Sequence, residues 1–149
     1  HDPITQVRER LAIYGTDNVR RALLERGETD REVLTNIAKY GSTAVQHRLV
    51  DVAWNDQKTL HEMARYLPSG ALEKLLTHPN MEVRIDAATH GSMDQCRRVL
   101  AMPYSSRDVT VVFMRDLLVE RMEELDKVAN AINFGKTITR INQEMELSP

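Results

Sequence analysis

The chain has 149 residues, 42 % hydrophobic and 28 % charged, with a formal net charge of −2. That balance excludes a disordered tail and a strongly basic nucleic-acid-binding body, and the length is that of one domain with its own core. No stretch approaches the roughly 18 apolar residues of a membrane span. Cys96 is the only cysteine, which rules out an intramolecular disulfide or a multi-cysteine metal site and reads as an intracellular, cytoplasmic chain. The start, His1-Asp2-Pro3, has no Met and reads as an excised domain or a tag remnant.

Four alanines, Ala12, Ala38, Ala64 and Ala88, stand 26, 26 and 24 residues apart with matching neighbours. Val7, Val33, Thr59 and Val83 precede them by five positions. The pairs Leu23-Leu24, Leu49-Val50, Leu75-Leu76 and Val99-Leu100 follow by eleven and twelve. A register held over this many columns is an internal repeat of stacked supersecondary units.

Each unit predicts two short helices. In the first, Val7, Leu11 and Ala12 trace a buried stripe, Gly15 stops it, and Thr16 or Asp17 caps a second helix with Val19, Ala22 and Leu23. In the second, Asp30 caps Val33, Leu34, Ile37 and Ala38. Gly41 is expected to stop that helix in the left-handed conformation, and Ser42 or Thr43 caps Val45, Leu49, Val50 and Ala53. The third turns at Leu67-Pro68-Ser69-Gly70, where Pro68 ends one helix and suits the start of the next. The fourth runs Val83, Ala87, Ala88, Gly91, cap Ser92, then Cys96, Val99 and Leu100. Helices this short are marginal alone, so the units must stack to bury a common core. Alanine in the repeated column suits close approach between layers.

After Pro103 the glycine cadence stops. Ser105 and Asp108 have capping-box spacing, an apolar stripe runs from Val109 to Ile132, Gly135 is expected to close that helix, and 137–147 reads as a shorter one. The resulting hairpin reads either as a cap over the last apolar layer or as a homodimer or partner-docking element through Phe113, Leu117, Leu125 and Ile132.

Two columns are candidate binding surfaces. Tyr14, Tyr40, Tyr66 and His90 form a ladder that reads either as stacking surfaces or as rings covering helix ends. The basic residues Arg20 and Arg21, His47 and Arg48, Lys74, Arg97 and Arg98 recur in the second helix of each unit. They read as a stripe for phosphates or an acidic partner, or as an ordinary solvated face. Trp54, the only tryptophan, is a further candidate hot spot. His61, His78, His90 and Cys96 lack metal-ligand spacing, and no phosphate loop or nucleophile elbow is present, so no catalytic residue, metal or cofactor is expected. Cys96 reads as a small buried hydrophobe.

Val7-Arg8 with Ala12 and Leu23, Val33 with Ala38, Thr43, Leu49 and Asp51, and Val83-Arg84 with Ala88 and Leu100 resemble the leucine-rich repeat variant family over residues 5–103. The nearest confusable class is the HEAT-like helical repeats. The resemblance implies units that pair an α-helix with a short 3₁₀-like or α segment in a right-handed superhelix. The cysteine-rich iron–sulfur segment of some members has no counterpart in this chain. The expected fold is therefore all-α: a right-handed α-solenoid of about four 24–26-residue repeats over 5–103, closed by a helical hairpin over 104–149. The expected function is a non-enzymatic protein-interaction scaffold without membrane association. The alternative is a nucleic-acid-binding module using the basic stripe.

Overall fold

The computed structural model describes residues 2–147 and is 77 % helical, with no strand among the described residues. His1, Ser148 and Pro149, to which the readings of both chain ends extend, lie outside them. In chain order the helices are α1 (Pro3–Tyr14), α2 (Asp17–Glu25), α3 (Arg31–Tyr40), α4 (Thr43–Val52), α5 (Gln57–Met63), a 3₁₀ turn (Ala64–Tyr66), α6 (Ser69–Leu75), α7 (Met81–Thr89), α8 (Met93–Leu100) and α9 (Val109–Glu146).

The caps follow the sequence closely. Asp2, Thr16, Asp30, Ser42, Asp56 and Ser92 each accept a hydrogen bond from the backbone N–H three positions on, satisfying one of the donors a helix start leaves open. Gln95 completes a capping box with Ser92. The glycine stops work differently from the expectation. Gly41 has φ −74°, not the left-handed conformation, and glycine is required there because a Cβ would stand 2.6 Å from the Ile37 carbonyl oxygen. Among the described residues only Gly27, after α2, has positive φ.

The units pack in sequence. Helix α1 lies on α3, α3 on α5, α5 on α7 and α7 on α9, while α2 lies on α4 and α4 on α6. Ala12, Ala38, Ala64 and Ala88 are all buried, as are Val33, Thr59 and Val83 five positions earlier. Thr59 sits in a valine column because its hydroxyl donates to the capping carboxylate of Asp56 at 2.7 Å. Val7 departs at 57 % exposed, together with Ile4 and Leu11, because α1 packs chiefly on α2 and α3 and this face of it meets no other described helix closely. Each fully buried Leu, Ile or Val contributes about 1.5–3 kcal/mol of transfer free energy, which is what holds these short helices.

Polar contacts link successive units at positions 25 apart. Asp17 accepts from the Ser42 N–H at 3.2 Å, Gln57 donates to Glu82 at 2.9 Å, and Glu73 pairs with both guanidinium nitrogens of Arg98.

The C-terminal hairpin is not present. Helix α9 is one continuous element of 38 residues, about 57 Å long at 1.5 Å per residue. Gly135 lies within it, and a Cβ there would meet nothing within 4 Å. A lone glycine costs a helix only about 1 kcal/mol, too little to end one unless the chain turns there. Asp108, not Ser105, is its cap, accepting from the Val111 N–H at 3.1 Å. Val111 and Leu118 are buried against the body, and Met114, Met122 and Leu125 pack on the same core. Arg115 donates to the Leu100 carbonyl oxygen at 3.2 Å and stacks 3.8 Å from the Tyr104 ring centre, fixing the entry of α9 beside α8. Beyond Leu125 every described residue of α9 is exposed.

Candidate functional site

Because α9 lies against α7 and runs on past it, an open cleft of about 860 Å³ forms beside α5 and α7. Its apolar floor is the buried Ile85 with Met114 and Leu117, and Arg31, Lys58, His61, Glu62, Asp86 and His90 stand around it. His61 Nδ1 lies 2.8 Å from Asp86 Oδ2. The carboxylate orients the ring as an Nδ1–H donor and directs Nε2 away from the pair. His90 is held below the ordinary histidine range, first by desolvation, with His61, Arg121 and Arg65 adding to the effect and Asp86 opposing it. Glu62 lies 3.5 Å from Arg31. The site thus offers a hydrophobic base within a rim of both charges, a chemistry suited to an apolar side chain flanked by polar groups.

No group of three His, Cys, Asp or Glu side chains among the described residues is arranged to hold a metal ion. The Cys96 thiol is buried, pushed up in pKa by desolvation, and donates to the Ala88 carbonyl oxygen at 3.2 Å.

The tyrosine ladder does not form one uniform ridge. Tyr14 stands nearly free in solvent. Tyr40 and Tyr66 share the Lys39 ammonium, 5.3 and 5.9 Å from the two ring centres, and Arg65 covers Tyr66 at 4.7 Å. His90 instead belongs to the cleft and to a smaller adjoining hollow of about 380 Å³ with His61 and Arg65.

The basic column is corrected at Arg20, which does not lie on the solvated face. It is only 8 % exposed, donating to the Ala12 and Ile13 carbonyl oxygens at 2.8 and 3.1 Å and pairing with Asp17 at 3.1 Å. Arg98 is held by Glu73 and by Asp94 at 3.0 Å, and Lys74 lies 3.6 Å from Asp51. Arg21, Arg48 and Arg97 are exposed on the second helices of their units. Trp54 is half-buried, its ring 4.6 Å from that of His78. His78 Nδ1 accepts from the Asn80 N–H, so Nε2 is the donor to the Trp54 carbonyl oxygen at 2.8 Å. The tryptophan therefore anchors the joint between two units.

Of the four α9 residues expected to self-associate, Phe113, Leu117 and Ile132 are exposed. Leu125 is half-buried on the chain's own core and is removed from that set. The sequence reading missed Lys58, Asp86 and Met114 as cleft residues. The repeat register itself carried a signal, since His61 and Asp86 fall at neighbouring positions of adjacent units. Comparison with protein-family models, curated proteins and solved structures found no match for this chain.

Proposed function

We propose that the chain is a non-enzymatic protein-interaction scaffold. In this reading the stacked units form a right-handed solenoid akin to the leucine-rich repeat variant proteins, and the cleft beside α9 docks a cytoplasmic protein segment. The observation that carries it is the cleft itself: an apolar base of Ile85 and Met114 ringed by Lys58, His61 and Asp86. An extended or helical segment placing one apolar side chain on that base, with charges on either side, matches it.

The test is to pan a displayed random-peptide library on the full chain. Enriched peptides should share an apolar anchor flanked by charge. Lys58→Glu combined with His61→Ala should weaken their binding by at least about tenfold, and Arg48→Glu should not. No enrichment, or enrichment insensitive to Lys58 and His61, overturns the reading.

A second reading, nucleic-acid binding, rests on Arg21, Arg48 and Arg97, which are paired with no carboxylate among the described residues. It is the weaker one, because Arg20, Lys74 and Arg98 of the same column spend their charge on Asp17, Asp51 and Glu73. A gel shift with single- or double-stranded DNA or RNA at low salt, where phosphate contacts are strongest, decides it.

A further inference from the structure

Helix α9 carries a second stripe, distinct from the one that holds it to the body. The body-facing stripe runs through Leu118 and Leu125. One residue earlier, about 100° around the helix, steps of four and three starting at Phe113 lead through Leu117 and on to Phe134, Ile138, Ile141 and Met145. The apolar residues fall in two runs on this one 3.5-residue spacing, Phe113 with Leu117 and Phe134 to Met145, the period that pairs one helix with another. Phe113 is 62 % and Phe134 69 % exposed, and Leu117, Ile138, Ile141 and Met145 are exposed too. The middle of the stripe is polar: Glu120, Glu124 and Lys127, followed by Ala131.

This pattern selects both an occupant and a register. We propose that α9 pairs antiparallel with the α9 of a second copy, Phe113 facing Ile138, Leu117 facing Phe134, Glu120 beside Ala131, and Glu124 opposite Lys127. Two-fold symmetry makes each pairing twice. The two acidic–basic pairs then sit at the centre, with apolar layers at both ends. A parallel in-register pair would instead stack Glu124 on Glu124 and Lys127 on Lys127. Shifting the antiparallel register by seven in one direction sets Glu124 against Phe134, and in the other it sets Glu120 against Glu124. The proposed register also leaves Glu120 beside Ala131, but it alone of these sets Glu124 against Lys127. Each alternative loses that pair and buries more charge without a partner or beside its like, which is costly. The overlap from Phe113 to Ile138 covers about 39 Å of helix. Ile141 extends it toward the exposed Val109 of the other copy. Contact of that length approaches the roughly 800 Å² per partner of a standard interface.

Sedimentation equilibrium of the full chain tests this. The mass should be twice the 17.1 kDa of one chain. E124K and K127E should each raise the dissociation constant by about tenfold or more, by opposing like charges at the centre. The E124K/K127E double variant, which restores opposite charges, should recover the dimer. Circular dichroism of all three should keep the helix content, since neither side chain touches the core. A monomer at high micromolar concentration overturns the proposal, as does a dimer indifferent to both single substitutions. Failure of the double variant to recover overturns the register.

Discussion

The Nε–H of Arg20 donates to the backbone carbonyl of Ala12 at 2.8 Å, eight residues before it. Gln46 does the same to Ala38 at 2.7 Å, and the Cys96 thiol to Ala88 at 3.2 Å. Three unlike side chains thus perform one task in one repeat column: they complete a carbonyl left open where the first helix of a unit ends. In the third unit the column holds Leu72, and no donor is needed because the 3₁₀ turn lets the Leu67 N–H take the Ala64 carbonyl. The fourth unit has both devices, since Gly91 N–H also reaches Ala88.

Gln46→Leu should therefore destabilise the fold by about 1–3 kcal/mol, the cost of a buried acceptor left without a donor. Gln46 also donates to the Tyr66 carbonyl oxygen at 3.0 Å, so the loss reaches the next unit. A chemical-denaturation midpoint unchanged by this substitution would remove the carbonyl-completing role.

This column also shows where sequence reasoning stopped. The apolar stripes and caps were legible, because Asp30, Ser42 and Ser92 act through neighbours three residues away. The column of Arg20, Gln46, Leu72 and Cys96 was not, because a cation, an amide, an aliphatic chain and a thiol share no hydropathy signal. Arg20 consequently read as surface charge. The unbroken α9 is illegible for a related reason: Gly135 reads as a stop, but a glycine ends a helix only when the chain turns there. The cleft depends on where α9 lies against α7, a long-range placement that spacing within each unit does not encode.

The repeated alanines set the distance between layers. Ala38 is fully buried and its carbonyl is engaged by Gln46, so its helix has little room to shift. Ala38→Leu should overpack the α3 contacts and cost about 1–3 kcal/mol. A thermal melt that matches the unsubstituted chain would contradict the register.

Glu73 should make stability sensitive to acid. Its carboxyl is lowered from the ordinary 4.5 to about 2, chiefly by Arg98 and then by Gln95. A folded-state pKa below the unfolded value means that the unfolded chain binds the proton more tightly. This stabilisation is complete above about pH 4.5 and is lost as pH falls toward 2. Glu9 acts oppositely: desolvation, with the neighbouring Glu32, raises its pKa, so protonating it favours the fold. The two effects oppose within one window, and Glu73→Gln separates them. Urea melts between pH 6 and pH 3 should show a shallower acid loss for this variant than for the unsubstituted chain. Equal slopes would show that the Glu73–Arg98 pair is too well solvated to count.

Finally, α9 should divide into an anchoring half and a projecting half. Leu118 is fully buried between α9 and the body, and Leu118→Ala should cost about 2–5 kcal/mol through lost transfer energy and the cavity left behind. Ile132 lies two heptads further along the same face but is 52 % exposed, beyond the end of the body. Ile132→Ala should change stability by no more than about 0.5 kcal/mol. It should also leave the oligomeric state alone, since this face points about 100° away from the stripe of Phe113, Leu117 and Phe134. Phe134→Ala should do the reverse, sparing the repeats while weakening the dimer. Parallel melts and sedimentation runs on the three variants check this division. A large loss of stability from Ile132→Ala would show that the distal half of α9 folds back onto the repeats.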